Sequence, residues 1–158
     1  MALLDSFLNM IGKITSILKS FHASWRLCSF RQAFKMPVRV SGNTILKSLA
    51  GQLVVEIHAH PALRIGFDKV GIFDEKTSRP VLDIAGKVIL KGRANFGQGA
   101  KIIVGPQGVL IIGDNFNNTA ESSIICQSQI TIGKDALVSW DTLIMDTDFH
   151  SIIDVKTR

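Results

Sequence analysis

A chain of 158 residues is one domain's worth, and 46% hydrophobic content supplies a full core, which excludes a disordered chain. The formal charge of +5 is concentrated: residues 1–40 hold Lys13, Lys19, Arg26, Arg31, Lys35 and Arg39 against Asp5 alone, and the rest carries twelve charges of each sign. That arm lacks the alternating aromatics and glycines of an RNA-binding sheet, which argues against nucleic acid; Cys28 and Cys126, far apart, argue against a disulfide framework or a zinc site and fit a reducing cytoplasm.

Along residues 1–36, Leu3, Leu4, Phe7, Leu8, Ile11, Ile14, Ile17, Leu18 and Phe21 recur at helical spacing, interrupted on the other face by Asp5, Asn9, Lys13 and Lys19. This predicts an amphipathic helical arm, not a signal peptide or a membrane span. Two roles fit it. One is a cap over the open end of a β structure. The other is peripheral attachment of residues 1–35 to an anionic membrane surface, at the cytoplasmic face, with help from Lys13, Lys19 and Arg26. Met36-Pro37 ends the arm, because a residue before proline is pushed out of the α region.

Strand material follows. Leu53-Val54-Val55 and Ala62-Leu63-Arg64-Ile65 read as short β segments punctuated by Gly51, Gly66 and Gly71, and Glu75 to Pro80 reads as a polar loop. From Val81 onward a six-residue period takes over: Ile84, Leu90, Phe96 and Ile102 in one run, Ile132, Val138 and Ile144 in a second. Six is the period of neither an ordinary strand nor a helix. It belongs to a parallel β-helix of hexapeptide turns, so the fold class is all-β and residues 37–158 form the β-helix domain. Ile65-Gly66, Val104-Gly105, Ile112-Gly113 and Ile132-Gly133 repeat the aliphatic-glycine pair of such turns, the aliphatic inward and the glycine at a tight corner. Coils of about 18 residues would give roughly four coils after Val81, with the surplus between Ile112 and Ile132 bulging at Asn115 to Thr119. Asn115 is there either a binding group or a turn former.

The next rung after Ile144 is His150, inside Asp146-Thr147-Asp148-Phe149-His150. On an extended segment alternate residues share a face, which would align Asp146, Asp148 and His150, unless a corner intervenes. An imidazole beside a carboxylate suits a general base; a satisfied core histidine with turn-capping aspartates is the structural alternative. Trp140 offers either an aromatic wall for a sugar or hydrophobic packing. His58 and His60 could share a strand face as a metal pair, but Pro61 follows and no third ligand is evident, so no metal is expected.

The stretches Leu110 to Phe116, Ile130 to Asp141 with its Ser139-Trp140-Asp141, and Met145 to Ile152 resemble the hexapeptide-repeat acyltransferases with a left-handed β-helix. Among these the closest likeness is to the O-acetyltransferases of capsular and other surface polysaccharides. Phe30 to Pro37 resembles the lead-in of that group. The resemblance implies acetyl transfer from acetyl-CoA to a sugar hydroxyl of a polysaccharide precursor. It assigns His150 as base; on chemical grounds Asp148 or Asp146 is the carboxylate that would orient it, and Trp140, Asp146 and Asn115 are the candidate acceptor-binding residues. It also implies a homotrimer whose clefts between subunits hold both substrates. The chain stops eight residues after His150, where members of the family continue through coils that bind much of acetyl-CoA. This points to a C-terminally truncated or partial enzyme and leaves no cofactor residue assignable. An inert β-helix scaffold and a metal-dependent hydratase on the same fold are the other readings.

Overall fold

Hexad after hexad, the backbone turns a corner and starts a new face. The computed structural model describes residues 2–56, 60–74 and 76–150. After helix α1 (Ala2–Leu27) and the short α2 (Phe30–Ala33), the fourteen strands among the described residues wind into a parallel β-helix of about five turns and left-handed type. The first turn is β1 (Val38–Val40), β2 (Ile45–Leu49) and β3 (Gln52–Val55); the second is β4 (Leu63–Ile65), β5 (Val81–Ile84) and β6 (Lys87–Leu90). The third is β7 (Ala94–Gln98), β8 (Lys101–Val104) and β9 (Val109–Ile112); the fourth is β10 (Phe116–Ala120), β11 (Ser123–Cys126) and β12 (Gln129–Ile132). The fifth begins with β13 (Leu137–Val138) and β14 (Leu143–Met145). Three parallel sheets result, ordered β1-β4-β7-β10-β13, β2-β5-β8-β11-β14 and β3-β6-β9-β12.

The six-residue ladder lands as its period demands. Ile84, Leu90, Phe96 and Ile102 sit on four successive faces, each buried. Ile132, Val138 and Ile144 continue it at the far end, half-buried against the same core. Phe96 and Phe116 fill the middle with ring centroids 4.9 Å apart.

Two expectations need correction. Val88, Leu110 and Ile130 stack in register, so a turn takes 20 to 22 residues and not 18, because strands of four or five residues plus their corners exceed three strict hexads. Consequently Ile112 to Ile132 is one ordinary turn. The stretch expected to bulge is β10, paired in register with β7, and Phe116 and Asn118 face the core. The chain instead leaves the coil between β4 and β5, over residues 66–80. There Gly66 turns the backbone with φ of 79°, and a Cβ would collide with Ser41 and Pro80. The glycine of Ile112-Gly113 serves the other purpose: a side chain would meet the backbone of Gly133 and Lys134 in the next turn.

The helical arm is a cap, but not by the face that its apolar residues suggest. α1 lays Ser16, Ser20 and Ser24, spaced four apart, along the free edge of β1. Ser20 Oγ accepts from the Val40 amide at 2.9 Å and Ser24 Oγ from the Val38 amide at 3.2 Å; Ser16 Oγ donates to the Val40 carbonyl at 2.6 Å. Lys19 Nζ donates to the carbonyls of Gly42 and Thr44, both at 2.7 Å, and burial, with Arg79 nearby, lowers its pKa. Serine is short enough to bring the helix against the strand while satisfying backbone groups that no other strand reaches. Ser20→Val should therefore cost about 1–3 kcal/mol, the penalty of leaving the Val40 amide buried and unpaired. Urea unfolding would measure it, and an unchanged midpoint would show the serine contacts to be incidental.

Candidate functional site

The fifth turn holds Trp140 and the segment from Asp146 to His150, at two successive corners. At the first corner, between β13 and β14, Ser139 and Asp141 make the turn. The Ser139 carbonyl accepts from Ser122 Oγ at 2.7 Å and from Thr142 Oγ1 at 3.1 Å, and Asp141 adopts φ of 54°. Short side chains that bond locally tolerate that left-handed conformation. The indole of Trp140 is left 47% exposed, so it is a surface ring and not core packing.

The second corner departs from the pattern below it. In the fourth turn the chain passes from Cys126 to Gln129 through two residues, Gln127 and Ser128. In the fifth, five residues after Met145 stay outside any strand, and Asp146 lies over the Gln127-Ser128 corner. His150 is therefore not a core rung. It stands exposed on an enlarged corner, which explains why the apolar period breaks there.

The alignment of Asp146, Asp148 and His150 on one face does not form, because the corner breaks the strand's alternation. Asp146 turns back onto the fourth turn, its Oδ1 accepting from the Gln127 amide at 2.7 Å and its Oδ2 from the Ser128 amide at 2.8 Å. The Gln127 amide, with Ser128 and Gln129, holds its carboxyl below the ordinary range against a smaller desolvation effect. Asp114 does the same at the corner after β9, accepting from the Arg93 amide at 2.8 Å. Asp146 is thus the repeat of a stacking device. The carboxylate of Asp148 accepts from the backbone amide of His150 at 3.0 Å, and Thr147 Oγ1 accepts from the Phe149 amide at 3.0 Å, with Phe149 at φ of 60°. These local bonds fold the tip that presents the imidazole. Asp148 acts on the backbone of His150.

Asn115 lies at the corner between β9 and β10 with φ of 58°, and its Nδ2 donates to Oδ1 of Asp135, which holds the equivalent place one turn on with φ of 57°. It is a turn former there. Asn118 is the residue that the sequence concealed. It faces the core, 1% exposed, and its Nδ2 donates to Ser122 Oγ at 2.7 Å while its Oδ1 has no partner. Its register with Phe96 and Val138 makes it a polar rung in an apolar column, and an Asn-Asn-Thr stretch gave no sign of which side faced in.

Among the described residues no three histidines, cysteines or carboxylates gather as a metal site; His60 is exposed and His58 lies outside the described residues. Cys126 is buried, and burial together with the nearby Asp146 carboxylate, 3.8 Å from its sulfur, raises its pKa, so it is not poised as a nucleophile. Searches of family models, curated proteins and solved structures returned no match to this chain.

The depressed Asp146 value has a pH consequence. A carboxylate whose folded pKa is below its unfolded one contributes stability that is full above the unfolded pKa, about 4, and is lost as pH falls through the folded value. Asp146→Asn, which cannot offer two charged acceptor oxygens to Gln127 and Ser128, should lower stability at pH 7 and flatten the loss as pH falls below about 4. Parallel acid-unfolding curves for the two proteins would contradict this.

Proposed function

We propose that this chain carries the acceptor-activating histidine of an acetyl-CoA-dependent O-acetyltransferase acting on a sugar hydroxyl of a surface polysaccharide precursor. The observation that carries the reading is the coincidence of a hexad β-helix with an exposed histidine on an enlarged corner of its fifth turn, and an exposed tryptophan at the preceding corner of the same turn. The similarity of Ser139-Trp140-Asp141 and Asp146 to His150 to the hexapeptide-repeat acyltransferases supplies the chemistry. A rigid solenoid commits its coils to packing, so groups that leave the coil are free for binding.

In the proposed reaction the neutral imidazole of His150 takes the proton of the acceptor hydroxyl as its oxygen attacks the thioester carbonyl. The tetrahedral adduct collapses with loss of the CoA thiolate, which receives that proton from the imidazolium. Trp140 offers an apolar face to the sugar ring. Asp148 positions the base through the backbone, by folding the tip. With His150 and Trp140 on the outer surface of the turn, the walls of the cleft come from a neighbouring copy in a homotrimer, in the cytoplasm, which makes attack effectively intramolecular.

The test is release of CoA thiol from acetyl-CoA in the presence of capsular oligosaccharide, with acetate incorporation followed by mass. Turnover dependent on the acceptor supports the reading. A chain that neither binds acetyl-CoA nor releases thiol overturns it and favours the scaffold reading, which the engagement of Asp146 and Asp148 with backbone amides makes the second choice.

A further inference from the structure

The outer side of α1 is the largest anomaly on the surface. Because the serines face the solenoid, the apolar stripe faces away: Phe7, Ile11, Ile14, Leu18 and Trp25 are 43–66% exposed. Met10 and Ile17 widen it on one side and Leu4 on the other, all at least half exposed. Phe30 and Phe34 of α2 extend it, 60% and 62% exposed, in a chain of edge-to-face rings running from Phe21 through Trp25. A monomeric protein in water rarely leaves so long an apolar strip uncovered.

Charge identifies the occupant. The strip is bordered by Lys13, Arg26, Arg31 and Lys35, and residues 1–40 contain one acidic residue. Beside it, a cleft of about 970 Å³ opens between α1 and the 66–80 excursion. Leu8 and Ile17, at the flanks of the apolar side, line this cleft together with Gly12 and Ser16 of the solenoid-facing side and the cationic side chains of Lys13, Arg39, Lys76 and Arg79, and among the described residues no carboxylate lines it. Arg39 also has a buried Nε without a partner. A second copy docking through this face would set cation against cation. The stripe is also wider than the two-position seam of a coiled coil.

We infer that α1 and α2 lie in the interface of an anionic phospholipid bilayer, apolar side down, with headgroup phosphates against the bordering cations and in the mouth of the cleft. A helix of 26 residues is about 39 Å long, and its polar serine side is occupied by the solenoid, so it lies flat. No described helix is long and apolar enough to cross a membrane. The β-helix is thereby held beside the surface by its first turn, whatever reaction its fifth turn performs.

Flotation of the full chain with phosphatidylcholine vesicles, with and without about a third phosphatidylglycerol, tests this. Binding to the anionic vesicles should be about tenfold or more stronger, and should weaken at about 0.5 M salt. Ile14→Asp with Leu18→Asp should abolish it without changing the unfolding midpoint, since both side chains are exposed. Arg39→Gln with Lys76→Gln should reduce only the preference for anionic lipid. In a Trp140→Phe background, bromolipid should quench Trp25 fluorescence. Absence of binding to either vesicle overturns the inference. So does a Leu18→Asp variant that breaks an oligomer while the parent ignores vesicles, which would assign the face to a second copy.

Discussion

His150→Ala is expected to lower acceptor-dependent acetyl-CoA turnover by about 10²- to 10⁴-fold, the contribution of a positioned general base. The unfolding midpoint should not move, because the side chain is exposed on a corner outside the core. That combination distinguishes chemistry from structure at this position. His150→Gln, which keeps hydrogen bonding and loses basicity, should be as inactive. Asp148→Asn provides the companion measurement. Because Asp148 accepts from the backbone amide of His150, an asparagine oxygen can still fold the tip, and a loss well below that of His150→Ala is expected. If Asp148→Asn is as damaging as His150→Ala, the carboxylate acts on the imidazole itself. If His150→Ala retains full turnover, the base lies elsewhere.

Phe116→Ala is expected to cost about 3–5 kcal/mol, the range for deleting a large buried aromatic and leaving a void. The ring is 2% exposed, fills the interior between the third and fourth turns, and packs against Phe96. A narrow solenoid interior has few neighbours able to collapse into that space. Each turn of a solenoid contacts only its neighbours, so the damage falls on the coupling between those turns. Hydrogen exchange should accelerate from β10 onward more than in β1 to β6. A uniform change through all turns would show that the solenoid unfolds as one unit. Phe116→Leu should recover much of the loss.

Much of this architecture is written in the spacing of single residues. The step of six from Ile84 to Ile102 is a statement about faces: each rung fills the interior from the next side of a triangle, and no other regular structure rewards that interval. The same step reached His150 and there misled, because a period carries no information about an enlarged corner. Only the stack of the fifth turn on the Gln127-Ser128 corner shows that His150 lies outside the strand. Serines four apart in α1 were visible, yet their meaning depends on β1 having a free edge in need of donors and acceptors.

The sequence by itself determined the parallel β-helix, the arm that precedes it and the histidine that interrupts its ladder, since each is a matter of local pattern. The tertiary structure decided which way things point. It turned the apolar side of α1 outward, because small serines allow the close approach that large aliphatics would prevent. It bound Asp146 and Asp148 to backbone amides and turned Asn118 inward, because stacking register, not composition, sets which polar group meets which partner.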